Sequence, residues 1–277
     1  MKKVLTIQDI SCFGKCSITI ALPVISALGV ETVILPTAVL STHTMFKGFT
    51  CKDLTDQLIP ITDHWKNENI SFDAIYTGYL GSAEEIEIAK HIFSEFKGDN
   101  TMIFIDPVMG DNGKLYPAFD MEYARQNASL CSYADVIVPN ITEACFMTGI
   151  EYRTSYDESY ILSLLDALSK LGAGTVVLTG VSLSEGKTGV YGLDTKTGKY
   201  FIYQNDLLPV SYHGTGDLFS SASVGAAVRG IPLSRAFEIA ADYTARTIDV
   251  TRKNPEKPWY GVDFEETLPE LIAAVRG

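Results

Sequence analysis

No stretch of the 277 residues stays apolar long enough to cross a bilayer. The start, Met1-Lys2-Lys3-Val4-Leu5-Thr6-Ile7, has two lysines before an apolar run too short and too strand-like for a signal peptide. A cytoplasmic location is the default expectation. Positive charge is scarce: 22 Lys and Arg face 34 Asp and Glu, a formal net charge of -12. Such a surface repels nucleic-acid phosphates, and no basic cluster offsets it, which argues against DNA or RNA as partners. Cysteines are few and odd in number, namely Cys12, Cys16, Cys51, Cys131 and Cys145. Their spacing fits no disulfide framework. Cys12 and Cys16 have no second ligand pair nearby, so plain thiols in a reducing compartment are expected rather than a zinc site. A Pro/Gly/Ser linker and internal repeats are both missing, which leaves one domain over residues 1–277. Also missing are a glycine fingerprint after the first strand and a phosphate-loop lysine motif, which disfavours a nicotinamide dehydrogenase or a P-loop enzyme.

What is present is an ordinary globular composition, 46% apolar and 20% charged, with a regular alternation of elements. Val4–Gln8, Thr32–Leu40, Phe72–Tyr79, Met102–Asp106, Asp135–Val138 and Thr175–Val181 read as buried strands. Between them, Ser17–Leu28, Lys52–Glu68, Ala83–Phe96, Glu122–Ser132, Thr142–Thr148 and Ser159–Leu171 read as helices. Gly189–Asp194 and Tyr200–Gln204 flank a turn as a small antiparallel hairpin. Helices Asp217–Arg229, Leu233–Thr251 and Phe264–Val275 finish the chain. The predicted class is α/β, an open, mostly parallel central sheet with helices on both faces. Ligands of such sheets bind beyond the carboxyl ends of the strands. Asp9, His43, Thr44, Tyr79, Asp106, Asn140, Glu143, Thr179 and Gly180 all fall at or just after those ends.

Three stretches carry chemistry. In His213-Gly214-Thr215-Gly216-Asp217 a glycine turn feeds a helix, so unpaired amides collect where a phosphoryl group would sit, and Asp217 lies beside them. The plain alternative is a turn plus a residue that complements the helix dipole. In Asp106-Pro107-Val108-Met109-Gly110-Asp111 two carboxylates leave a buried strand; Asp106 is placed to face magnesium or phosphate, and Asp111 reads equally as a turn residue. In Pro139-Asn140-Ile141-Thr142-Glu143 the spacing is that of a capping pair, and local sequence favours that over a magnesium or phosphate role.

Taken together and in this order, those three stretches resemble the ribokinase superfamily. Ile7-Gln8, Ser41-Thr42-His43-Thr44 and Thr77-Gly78-Tyr79 further resemble the pyridoxal/pyridoxamine kinases, over essentially the whole chain. The resemblance implies a ribokinase-like fold and ATP- and magnesium-dependent phosphorylation of the 5-hydroxymethyl group of a B6 vitamer. By motif, Asp217 is the base and Gly214, Thr215 and Gly216 form the anion hole. Asp106 and Glu143 belong to the magnesium and phosphate region, and Asn140, Thr179, Gly180 and His213 to the nucleotide side. Thr44 and Tyr79 contact the pyridine ring, with His43, Asp9 and Ser11 near the substrate. The resemblance also implies a homodimer and a monovalent cation such as K+, whose site the sequence does not place.

One departure stands out. Many pyridoxal kinases have Ser after the first-strand glutamine, where this chain has Asp9, with Ser11 two residues on. A carboxylate there would suit a ring hydroxyl, a protonated pyridine or an amine, the last shifting preference towards pyridoxamine or the aminopyrimidine precursor of thiamine. Its plain role would be to cap the following turn. The nearest rival activity is hydroxymethylpyrimidine kinase, although those enzymes tend to have Cys where Asp217 stands. A non-catalytic nucleotide or vitamin sensor is the rival from another class, and the joint presence of Asp217, Asp106 and Glu143 speaks against it.

Overall fold

A computed structural model describes residues 1–277. Two compact units make up the chain. One joins Met1–Tyr76 to Leu208–Gly277, and the other is Thr77–Leu207. The first unit is therefore discontinuous in sequence, which is why no linker marks a boundary.

In the first unit, β1 (Lys3–Phe13) pairs parallel with β2 (Glu31–Thr42) through α1 (Ile18–Ala27). The short β3 (Cys51–Asp53) adds antiparallel to β2, so the next helix, α2, starts at Thr55 rather than at Lys52. The unit closes with α7 (Thr215–Val228), α8 (Leu233–Lys253) and α9 (Phe264–Arg276). Val4, Leu5, Ile7, Ile20, Leu35 and Phe237 are buried in its core. The small residues of α7 allow close helix packing: a Cβ on Gly225 would lie 2.7 Å from Leu28 Cδ1.

The second unit carries β5 (Met102–Ile105), β8 (Val136–Ile137) and β9 (Thr175–Val181) in parallel. They alternate with α4 (Met121–Ala128), α5 (Ile141–Thr148) and α6 (Glu158–Ser169). Phe104, Ile137, Leu164 and Val177 are fully buried, as expected of strands covered on both faces. The expected hairpin, β10 (Lys187–Asp194) and β11 (Lys199–Asp206), is part of the main sheet, because β10 also pairs antiparallel with β9. A separate two-stranded ribbon forms from β6 (Gly110–Asp111) and β7 (Lys114–Leu115). With β4 (Ala74–Thr77), the hydrogen-bonded order of the nine-stranded sheet is β11-β10-β9-β8-β5-β4-β1-β2-β3.

One expectation is corrected. β1 runs on to Phe13, so Asp9 and Ser11 lie within the strand rather than after it. Thr179 and Gly180 lie near the end of β9, whose bounds are those read from the sequence. At Asp9 the ladder slips: Gln8 pairs with Pro36, whereas Ile10 pairs with Val39, so β2 has an extra residue opposite Asp9. Pro36 has no N–H to donate, and the interruption falls next to it.

Candidate active site

In the first unit the turn before α7 has the geometry of an anion site. Gly214 adopts φ 79°, and a side chain there would collide with the Lys15 carbonyl oxygen, so glycine is required. The first amide satisfied within the helix is that of Leu218, which donates to Gly214 O at 2.9 Å. The N–H groups of Thr215 and Gly216 have no partner in the chain. Nothing lies within 4 Å of where a Gly216 Cβ would be, so there is open space beside that turn. Asp217 occupies the first turn of the same helix.

Around it stand groups drawn from distant parts of the sequence. Burial, then the charges of Asp217 and Asp9, push the Cys16 thiol up to about 12, so it stays protonated and unreactive. Asp9 is buried, and Ser11 Oγ donates to its Oδ2 at 2.9 Å. Desolvation raises the Asp9 carboxyl above its ordinary value, opposed by hydrogen bonds from Ser17 and Ser11. Ser17 holds φ 50°, a strained conformation for a residue with a side chain, and its hydroxyl serves Asp9.

His43 has both ring nitrogens engaged. Nε2 lies 3.1 Å from Tyr260 O, and Nδ1 accepts from Met45 N at 3.3 Å, which places the proton on Nε2. Burial lowers its pKa and keeps the ring neutral. Both ring nitrogens of His43 thus serve structural hydrogen bonds, and what His43 offers to the space around it is a ring face. That face belongs to an aromatic rim in which Phe46 and Trp259 centroids are 4.4 Å apart, Phe13 and Tyr260 4.8 Å, and His43 and His213 5.4 Å. Thr44 and His213 are exposed on the same unit.

The second unit holds the other predicted residues. Asp106 follows β5, and its N–H donates to Thr77 O at 2.9 Å. Asn140 caps α5 in a full capping box, its Oδ1 accepting from Glu143 N at 2.9 Å while Glu143 Oε2 accepts from Asn140 N at 2.9 Å. The local capping reading is thus correct, but it is not the whole role. Glu143 Oε1 also accepts from Met109 N at 3.0 Å, and Asn140 Nδ2 donates to Gly110 O at 2.8 Å. The cap therefore grips the loop that follows Asp106. That loop is strained, with Val108 at φ 22° and Asn112 at φ 51°. Burial, then the neighbouring Asp106, push the Glu143 carboxyl up to about 8. Thr179 N donates to Pro139 O at 3.0 Å, tying β9 to the same corner, and Gly180 has φ 70° with open space before it.

No group of three or more His, Cys, Asp or Glu side chains gathers to hold a metal. Asp106 and Glu143 do act on each other electrostatically, and much of Glu143 is committed to backbone donors. A cation there would keep most of its own water, which fits magnesium and not zinc.

Sequence reasoning missed one network. Tyr79 packs beside Phe119 (5.2 Å), and Phe119 stacks on Tyr123 (3.8 Å, 7° between planes). Tyr123 OH donates to Leu80 O at 2.6 Å. Asn127 Nδ2 donates to Pro107 O at 3.1 Å and to Tyr123 OH at 3.3 Å. One turn of α4 thus braces both the loop that bears Tyr79 and the loop that bears Asp106. The one available signal was a Tyr and an Asn at i and i+4 on a predicted helix, which is too common to single out.

The model of the family described as phosphomethylpyrimidine kinase matches residues 12–259. The chain belongs to that family. Among solved structures of this kind is a Bacteroides thetaiotaomicron protein assigned to the phosphomethylpyrimidine kinases and crystallised with pyridoxal. It is 36% identical, with a TM-score of 0.92 over 98% of this chain and 95% of that one. A pyridoxal kinase from Lactobacillus plantarum is 30% identical, with a TM-score of 0.90 over 99% and 97% of the two chains. A Dictyostelium discoideum pyridoxal kinase is 29% identical over 82% of this chain and 78% of its own length. The relatives are thus named for either of two substrates, phosphomethylpyrimidine or pyridoxal.

Proposed function

We propose that this chain transfers the γ-phosphoryl group of ATP to the 5-hydroxymethyl group of a B6 vitamer (pyridoxal, pyridoxine or pyridoxamine), giving the 5'-phosphate and ADP. The observation that carries the proposal is the α7 turn, where two amides without partners and the Asp217 carboxylate are contributed by the same few residues. In phosphoryl transfer the protein mainly positions reactants and offsets charge. The Thr215 and Gly216 N–H groups would hold negative charge on the phosphoryl oxygens, and Asp217 would accept the proton of the attacking hydroxyl. That proton leaves late in a loose transition state, so an ordinary carboxylate suffices.

On the first unit, Asp9, Ser11, Thr44 and the His43 ring would face the vitamer, and His213 the nucleotide. On the second, Tyr79 would meet the pyridine ring, while Asn140, Thr179 and Gly180 would serve the nucleotide. Asp106 and Glu143 would hold magnesium through water, and the ion when bound neutralises phosphate charge. A monovalent cation, a homodimeric state, a cytoplasmic location and a single cooperative domain are supported by the family resemblance. Sedimentation and thermal unfolding measure the second and fourth directly.

A second reading, phosphorylation of hydroxymethylpyrimidine or its phosphate, alone or beside the vitamers, is favoured by the matched family's description as phosphomethylpyrimidine kinase. A coupled ADP-release assay over the three vitamers, hydroxymethylpyrimidine and its phosphate decides between them. Turnover on at least one vitamer is expected. Turnover confined to the pyrimidine would replace the first reading by the second, and no turnover on any of them would reject both.

A further inference from the structure

Asp9 carries a charge that the protein leaves uncompensated. It is 6% exposed, and its partners are all uncharged: the hydroxyls of Ser11 and Ser17 and its own backbone N–H. The possible counter-ions around it are all committed. Lys15 pairs with Asp263 at 3.3 Å and Glu265 at 2.8 Å. His43 is held neutral, with one nitrogen against Tyr260 O and the other accepting from Met45 N. The remaining charge acting on this neighbourhood is another carboxylate, since Asp9 and Asp217 both bear on the Cys16 thiol. A buried carboxylate without a cation is costly, and a fold keeps one where a ligand completes it. Two local distortions accompany it: the slipped β1–β2 register opposite Asp9 and the strained backbone of Ser17, whose hydroxyl bonds Asp9.

We infer that Asp9 selects substrates carrying an amino group on the ring position next to the one that bears the hydroxymethyl group. This deepens the proposed kinase reading and rests on it. If Asp217 faces the reacting hydroxyl, a second carboxylate close to it meets the substituent on the adjacent ring carbon sooner than the ring nitrogen, which is one ring position further away. Pyridoxamine carries an aminomethyl group at that adjacent position, and hydroxymethylpyrimidine carries an amine there. Pyridoxal and pyridoxine carry an aldehyde and an alcohol. A charge-assisted hydrogen bond in a dry site should favour the amine on the order of 10–100-fold.

The test compares kcat/KM for pyridoxamine, pyridoxine, pyridoxal and hydroxymethylpyrimidine in the wild-type protein, Asp9→Asn and Asp9→Ser, with thermal unfolding of each. In the wild type, the amine-bearing substrates should exceed pyridoxine by at least about tenfold. Both variants should lose on the order of 10–100-fold more on the amine-bearing substrates than on pyridoxine. The arm that loses most, pyridoxamine or the pyrimidine, identifies the source of the amine. An equal loss on all substrates would assign Asp9 to the ring nitrogen, and unchanged ratios would make it structural; either outcome overturns the inference. Should both variants misfold, a wild-type protein that favours pyridoxine equally or more still overturns it. A wild type inactive on every substrate rejects the underlying kinase reading instead.

Discussion

The carboxylate of Glu143 accepts N–H donors from Asn140 and Met109, while that of Asp9 is held by the hydroxyls of Ser11 and Ser17 and by its own backbone N–H. Both are buried, and burial raises both carboxyls. They differ in what completes them. Glu143 spends its lone pairs on the chain and fixes the loop after Asp106. Asp9, which draws no peptide donor from another part of the chain and no cation, is suited to a ligand. A similar contrast separates the two helix N-termini involved. That of α5 is closed by a capping box, whereas that of α7 keeps the amides of Thr215 and Gly216 open. Closed polar groups build the scaffold, and open ones mark where chemistry is expected.

Substitutions at four positions sharpen that contrast. The largest effect is expected for Asp217→Asn, which should lower turnover on the order of 10²–10⁴-fold while nucleotide binding, followed by calorimetry, stays near wild type. Near-normal turnover would remove Asp217 from the role of base. Next, Gly216→Ala adds a methyl group beside the free amides without striking any neighbour. It should cost at least about tenfold in kcat/KM, with stability within about 0.5 kcal/mol. If activity survives intact, no phosphoryl group approaches that turn.

Glu143→Ala should act mainly on stability, because the Met109 and Asn140 N–H groups lose their acceptor. A loss on the order of 3 kcal/mol in urea unfolding is expected. The pH dependence carries a sign. Folded Glu143 titrates at about 8 against the ordinary 4.5, so the native state holds the extra proton between those values. Its contribution is complete below about 4.5 and is lost as pH rises through about 8. Without magnesium, the wild type should lose stability across that window, and Glu143→Gln should flatten the slope. A slope of opposite sign would mean that the folded carboxyl lies below its ordinary range. The smallest effect is expected for Tyr123→Phe, which keeps the stack on Phe119 but removes the bond to Leu80 O. About 1 kcal/mol of stability should go, with a several-fold change in kcat/KM; unchanged kinetics in the folded enzyme would make the brace purely structural.

Much of the fold was legible because its signals are local. Apolar runs such as Met102–Ile105 and Thr175–Val181 mark strands buried on both faces, and Asn140 with Glu143 marks a helix start. Errors fell where distant chain decides. β1 extends through Asp9 to Phe13 because β2 offers it partners, and Cys51–Asp53 becomes a strand instead of the first turn of α2 because β2 has a free edge. In the site, the residues of the glycine turn could be named from sequence. The Tyr123–Asn127 brace and the commitment of His43 to Tyr260 could not, since each joins residues with no local pattern between them.

Local sequence by itself determined that the chain alternates strands and helices, that Gly214 and Gly216 open a helix with Asp217 in its first turn, and that Asn140 and Glu143 cap another. Those features depend on backbone freedom and on spacings of a few residues, which accompany the sequence wherever it folds. Tertiary structure alone decided that Asp9, Cys16 and Asp217 share one neighbourhood, that Glu143 clamps a loop more than 30 residues before it (Met109, 34 residues away), and that Asp9 lacks a counter-charge. Burial and charge pairing are set by the groups that surround a side chain in space, and those groups arrive from parts of the chain that no local pattern connects.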